Sequence, residues 1–276
     1  MNNLLTRTIS GIIFLVIMVA GIWFSEYSYA ALFLFIMLGA MLEFHRMTID
    51  PGRHIWARVL TLVSAATLFV TIFLWQRFGI SPRFILLSLI PVLLASGGSI
   101  FEKVKDDYVT VANAYTSFVY IALPLSIATL AVFRDGVYDG TLLLCFFGII
   151  WGSDVGAYCL GCTLGRNSRK MCPKISPKKS WWGFAGGLIT AVAIAVGLKL
   201  FGVFQFNMLH SVILAVLLNL VSVLGDLVES VWKRYYEIKD SGRIIPGHGG
   251  LLDRFDSSLF AIPVGTIYML IFNLIA

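Results

Sequence analysis

The chain has 276 residues, of which 58% are apolar and only 13% are charged, about half the charged share of a soluble domain. That composition excludes disorder, a collagen-like chain and an ordinary water-soluble enzyme, and a mean hydropathy of +0.87 leaves a polytopic membrane protein. The net charge of +6 is the kind of excess that cytoplasmic loops bring, so anionic lipid or nucleotide is the expected partner and nucleic acid is not. Cys145, Cys159, Cys162 and Cys172 lie in or beside apolar stretches without even spacing, which argues against a disulfide scaffold.

A helix needs roughly 17 to 25 mainly apolar residues to cross a hydrocarbon core of about 30 Å. Nine stretches approach that, at 8–24, 28–42, 56–75, 84–100, 110–133, 140–164, 183–204, 210–232 and 258–276. The expected fold class is therefore all-α, a polytopic integral membrane helical bundle of about nine transmembrane helices. The first stretch is read as a retained anchor, although Ser28-Tyr29-Ala30 has the small-x-small look of a cleavage site. With nine spans, one face receives Arg7, Arg46, Arg53, Arg58, Lys103, Lys105, the six Lys and Arg from Arg166 to Lys179 and the five from Lys233 to Arg254. The other face receives only Arg77, Arg83, Arg134 and Lys199. This asymmetry predicts a cytoplasmic N-terminus and places Ala276 on the far side. One membrane domain, 1–276, is expected, with an N-terminal helical scaffold at 1–139 and a catalytic half at 140–276 whose polar loops run over 165–182 and 233–257.

A carboxylate inside a spanning helix costs about 2.5 kcal/mol or more, so it marks a cavity or a partner. Asp154 qualifies in the sixth stretch, Asp226 and Glu229 in the eighth. Asp226, Glu229, Ser230 and Lys233 are spaced i, i+3, i+4, i+7 and share one helix face, which reads as the wall of a polar cavity. The alternative is a snorkelling surface bridge between Glu229 and Lys233. Cys159 and Cys162 form a lone C-x-x-C, a weak zinc signal and more often packing. His45, His54 and His210 read as interfacial; only His248 has informative company.

That company is the stretch from Ser230 to Asp256. It contains Lys239-Asp240, the turn Pro246-Gly247-His248-Gly249-Gly250, and Asp253, Arg254 and Asp256. Exposed backbone, cations and carboxylates together suit a nucleoside triphosphate with a metal: amides and Lys or Arg meet phosphate oxygens, and carboxylates hold Mg²⁺. No Walker A motif is present.

The order S-x-x-K-R (Ser230, Lys233, Arg234), K-D, P-G-H-G-G and D-R-F-D (Asp253 to Asp256) resembles the signature of the CDP-diacylglycerol synthase, or phosphatidate cytidylyltransferase, family. A second block is similar to the same family: Asp154 to Tyr158, Gly161, Gly165-Arg166, Pro173, and Ile175 to Trp181 with Lys178, Lys179 and Ser180, followed by Gly183 and Gly186-Gly187. Ser180 stands where the family has Thr, and Trp182 where it usually has Glu, so no acidic role is carried over there. The likeness covers 140–276 well; the first half agrees only in being apolar helices.

The resemblance implies that CTP and phosphatidic acid give CDP-diacylglycerol and pyrophosphate, with Mg²⁺; a second, monovalent cation and a homodimer stay open. It implies a metal-holding role for Asp226 and Asp253, with Asp154 and Asp256 as further acidic residues. Asp253 could instead bridge Arg254 or cap a helix. Lys239 and Arg254 would neutralise phosphate oxygens, with Asp240 orienting the lysine or supporting the metal; the alternative is a solvated charge pair. His248 would donate to departing pyrophosphate or stabilise the turn. Lys178, Lys179, Ser180, Ser230, Lys233, Arg234, Gly249 and Gly250 would bind substrate. The attacking lipid phosphate is already an anion, so no side-chain nucleophile is required; cations must offset its repulsion by the triphosphate. The expected setting is a bacterial inner membrane with the site facing the cytoplasm. Two rivals stand beside this: a proton- or cation-coupled transporter using Asp154, Asp226 and Glu229 as a relay, and a CTP-dependent transferase acting on an isoprenoid lipid.

Overall fold

A computed structural model of the chain describes residues 3–49, 54–98, 107–166 and 168–274. Arg53, Lys103, Lys105 and Ala276, used in the topology argument above, lie outside the described residues. The chain divides into two compact units, one of Met1–Gly140 with Ile238–Phe255, the other of Thr141–Glu237 with Asp256–Ala276. The sequence boundary before residue 140 thus nearly coincides with a unit boundary, but the glycine-rich loop joins the unit of the first half.

In the first unit, α1 spans Asn3–Trp23, α2 Glu26–Thr48 and α3 Ile55–Phe78. Ser25 and Ser28 cap α2 reciprocally, the N–H of each donating to the other's hydroxyl at 3.0–3.1 Å, so the helix opens firmly at Glu26. It continues to Thr48, well past the 28–42 expected, which places His45 in the core, its Nε2 2.8 Å from Ser117 Oγ, and not at an interface. The fourth expected span is wound in two ways: a 3-10 segment, Pro82–Ser88, leads into α4, Leu89–Gly98. Pro91 explains the break, because its ring obstructs the preceding helical turn and it has no N–H to donate. The fifth span is continuous but locally wound in different ways: α5 Asp107–Ser117, a π turn at Phe118–Ala122, α6 Leu123–Ile127 and a 3-10 turn at Ala128–Ala131. A short hairpin, β1 (Phe133–Arg134) with β2 (Val137–Tyr138), closes this part.

The second unit holds α7 (Thr141–Thr163), a hairpin of β3 (Lys170–Cys172) and β4 (Ser176–Ser180), α8 (Trp181–Leu200) and α9 (Met208–Tyr235). Because lipid gives apolar helices no hydrophobic reason to associate, close backbone packing must supply it. A Cβ on Gly186 of α8 would lie 2.6 Å from the Gly156 carbonyl of α7, so this seam admits only hydrogen there. The Ser180 hydroxyl accepts from Gly183 N–H at 3.1 Å and starts α8 directly at the end of β4, pinning the hairpin to the helix pair. α10, Leu252–Ile271, opens in the first unit and continues in the second.

Among the described residues seven helices are long and apolar enough to cross a membrane: Leu5–Trp23, Glu26–Thr48, Ile55–Phe78, Tyr108–Ala131, Thr141–Thr163, Trp181–Leu200 and Met208–Tyr235. The protein is a polytopic helical membrane protein. Two of the nine expected spans depart from that standard for identifiable reasons. The fourth is broken at its prolines, and the ninth starts early enough to take in Asp253, Arg254 and Asp256.

Candidate functional site

The second unit contains a cavity of about 340 Å³ whose polar lining includes Asp154, Lys178, Lys179, Ser180, Asp226 and Ser257. Lys178 and Lys179 come from β4, Asp154 from α7 and Asp226 from α9, so three elements converge. Lys179 Nζ donates to Asp226 Oδ2 at 2.7 Å and to the Val223 carbonyl at 3.4 Å. Arg234 Nε donates to the Ile175 carbonyl at 3.4 Å. These bonds dock the hairpin on α9.

The stripe expected along α9 is present as two pairs one turn apart. Ser230 Oγ donates to Asp226 Oδ1 at 3.4 Å, and Lys233 forms an ion pair with Glu229. Glu229 is 0% exposed, so that pair is buried and not the surface bridge offered as an alternative; a buried charge persists only with such compensation. Asp256, at the start of this unit's share of α10, feels the charges of Asp226, Lys233 and Asp154. A Cβ on Gly225 would stand 2.5 Å from the Asp256 carbonyl oxygen; only glycine lets α9 and α10 approach so closely beside Asp226.

In the first unit, the glycine-rich turn is built on Gly247 (φ 75°) and Gly249 (φ 82°), conformations that glycine adopts without steric cost. Ile245 N–H donates to the Gly249 carbonyl at 3.0 Å and His248 N–H to the Ile245 carbonyl at 2.9 Å. Three donors converge on one oxygen of Asp253: Ser241 N–H at 2.9 Å, Ser241 Oγ at 3.0 Å and Gly250 N–H at 2.8 Å. Asp253 therefore closes the loop on itself. The turn also meets α1, since Arg7 Nε donates to the Gly247 carbonyl at 3.0 Å and Ser10 Oγ lies 2.8 Å from His248 Nδ1.

Ser10 has carbonyl acceptors at Arg7 (3.1 Å) and Pro246 (2.9 Å). Its single hydrogen has three acceptors within reach, these two carbonyls and His248 Nδ1, and the imidazole tautomer sets the direction of the last bond. Burial, with Arg254 and Arg7 nearby, holds the imidazole below its ordinary pKa. The contact with Ser10 makes His248 part of the turn's attachment to α1. Lys239, Asp240 and Arg254 are exposed, and among the described residues Lys239 and Asp240 form no ion pair although adjacent.

The sequence pattern of the Cytidylyltransferase family matches residues 5–272. The chain belongs to that family. Relatives carrying the name phosphatidate cytidylyltransferase include one from Bacillus subtilis, 47% identical over 115 residues, 42% of either chain. Another, from Staphylococcus haemolyticus, is 36% identical over 172 residues, 62% of this chain and 64% of the relative. A third, from Staphylococcus aureus, is 43% identical over 128 residues, 46% of this chain and 48% of the relative. The matches thus span less than two thirds of these relatives' own length.

This member of the cytidylyltransferase family has a buried carboxylate that its sequence alone did not reveal. Glu43 of α2 is 1% exposed; its Oε2 accepts from Ser241 Oγ at 3.1 Å and Leu252 N–H at 2.9 Å, and its Oε1 has no hydrogen-bond partner among the described residues. Glu43 and Asp253 therefore share one serine hydroxyl. The available signal was an acidic residue inside an apolar helix, concealed because the second span was expected to stop at Leu42.

The resemblance implies a divalent metal, and the donors present bear on where one could be held. Among the described residues no three His, Cys, Asp or Glu side chains assemble into a cation cage. Mg²⁺ commonly takes one or two carboxylates and completes its shell with water and substrate phosphate, and the Asp154–Asp226 cavity fits that mode. Cys159 and Cys162 are exposed free thiols, outside that lining. The double variant Cys159→Ala/Cys162→Ala is expected to keep its activity and its metal dependence within about twofold, as surface changes away from a site do; a large loss in a turnover assay would restore a role for the pair.

Proposed function

We propose that the protein is a phosphatidate cytidylyltransferase of a bacterial inner membrane, with its site on the cytoplasmic side. A phosphate oxygen of phosphatidic acid attacks the α-phosphorus of CTP, the bond from that phosphorus to the bridging oxygen breaks, and pyrophosphate leaves with CDP-diacylglycerol as the lipid product. The attacking oxygen is already anionic, which agrees with a site lacking a Ser-His-Asp or Cys-His arrangement. The observation that carries the reading is the Lys179–Asp226 pair in a cavity shared with Lys178 and Asp154: cations for phosphate and carboxylates for a metal, at the end of membrane helices.

Lys178 and Lys179 offset the repulsion between lipid phosphate and triphosphate, and Asp226 holds Lys179 in place until phosphate competes for it. Asp226 with Asp154 would hold Mg²⁺ in the second unit, and Asp253 is the proposed metal carboxylate of the first, each argued from its own surroundings. Bound Mg²⁺ supplies neutralisation of charge on phosphate oxygens. Arg254 and Lys239, exposed on the loop, are the proposed outer contacts for the triphosphate. The transporter reading is disfavoured by the buried Lys233–Glu229 pair, which ties up a carboxylate that a proton relay would need.

The test is purified protein in detergent with CTP, phosphatidate and Mg²⁺, with pyrophosphate release followed with and without lipid. Asp226→Asn is expected to lower kcat/KM by about 100-fold or more, the scale of losing one electrostatic contact to a reacting phosphate. Pyrophosphate release independent of lipid, or an isoprenoid phosphate outcompeting phosphatidate, would overturn the assignment.

A further inference from the structure

The strongest unassigned feature is an apolar cavity of about 370 Å³ within the first unit. Its walls include Ile9, Ile13 and Ile17 of α1, Phe35 of α2, and Ile245 and Leu251 of the loop. Ile13, Ile17 and Phe35 are at least half exposed, so the cavity is an open groove facing lipid. Along α1 it runs from Thr6 to Met18, about 18 Å at helical rise, close to the roughly 15 Å depth of one leaflet's hydrocarbon.

One end is chemically different. Ser10 and Pro246 line the groove there, Ser10 is bonded to His248, and Arg7 Nε donates to the carbonyl of Gly247, next to Pro246. An apolar slot one leaflet deep, with the Arg7 guanidinium beside its polar residues, is complementary to an amphiphile with an acyl tail and an anionic head. The docking of the glycine-rich turn on α1 through Arg7–Gly247 ties this head-group corner to the loop that carries the motif.

We propose that this groove seats an acyl chain of the phosphatidate substrate, with Arg7 at its polar end meeting the lipid phosphate. The proposal rests on the function proposed above. It gives α1, outside the motif-bearing half, a substrate-binding task, and it makes chain length a determinant of KM.

The experiment uses purified full-length protein and phosphatidate carrying a diazirine in its acyl chain, with cross-links mapped by mass spectrometry. Label is expected on Ile9, Ile13, Ile17 or Phe35, displaced by unlabelled phosphatidate but not by the same amount of phosphatidylcholine, and the preference should fall in Arg7→Gln. In parallel, Ile13→Trp should lower the ratio of kcat/KM for dipalmitoyl over dihexanoyl phosphatidate by about tenfold, what excluding roughly two methylenes from an apolar site costs. Equal displacement by phosphatidylcholine would show an ordinary lipid contact and overturn the inference, as would absence of label or an unchanged chain-length ratio in an active variant. If wild-type protein fails to convert phosphatidate yet shows selective labelling, the proposed reaction falls and the groove stands.

Discussion

Asp253→Asn is expected to keep the loop folded and to lower CTP-to-lipid conversion by about 100-fold or more. One oxygen of Asp253 receives Ser241 N–H, Ser241 Oγ and Gly250 N–H at 2.8–3.0 Å. An asparagine carbonyl can still accept from these donors, but it cannot supply negative charge to a metal or orient a cation. Asp253→Ala removes both functions: it leaves donors of a loop whose Gly250 is buried without their acceptor, at about 1–3 kcal/mol each. The two variants therefore separate charge from architecture. Thermal unfolding in detergent should report a drop for alanine and little change for asparagine, while turnover falls in both. Full turnover in Asp253→Asn would remove this carboxylate from the metal assignment and leave it as a loop clasp.

Glu43→Ala should destabilise the first unit by about 2–5 kcal/mol and lower Tm by about 5 °C or more. The side chain is buried and accepts from Ser241 Oγ and Leu252 N–H, so its loss orphans two donors at the point where the loop enters α10. The surroundings leave little room for adjustment, since a Cβ on Gly242 would lie 2.1 Å from Glu43 Oε1 and one on Gly250 2.2 Å from Oε2. Glu43→Gln keeps the volume and one carbonyl acceptor, and is expected to recover most of the stability. Limited proteolysis gives a second measure: cleavage between Ile238 and Leu251 should become faster in the alanine variant. Wild-type melting and wild-type cleavage would show that the loop does not depend on this anchor.

The membrane class and the core of most spans were legible in the sequence because a helix in lipid must satisfy its own backbone and present apolar side chains to the hydrocarbon, and both demands are local. The polar stripe on α9 was equally readable, since residues four apart on a helix must meet; Ser230 does meet Asp226, and Lys233 meets Glu229. The loop's composition raised the expectation of a phosphate-binding chemistry. What it could not announce was where the loop goes. Asp253 is held by Ser241, twelve positions away, but Glu43 reaches the same hydroxyl across 198 positions, and no period or spacing encodes such a pair. For the same reason the glycine-rich turn, assigned by sequence to the second half, joins the compact unit of the first. The chain order by itself determined a helical membrane protein with its polar chemistry in two loops and on one helix. Only the tertiary structure decided which carboxylates share a hydroxyl, which lysine meets Asp226, and that α1 carries a groove, because those outcomes depend on hydrogen bonds and packing that close between segments distant along the chain.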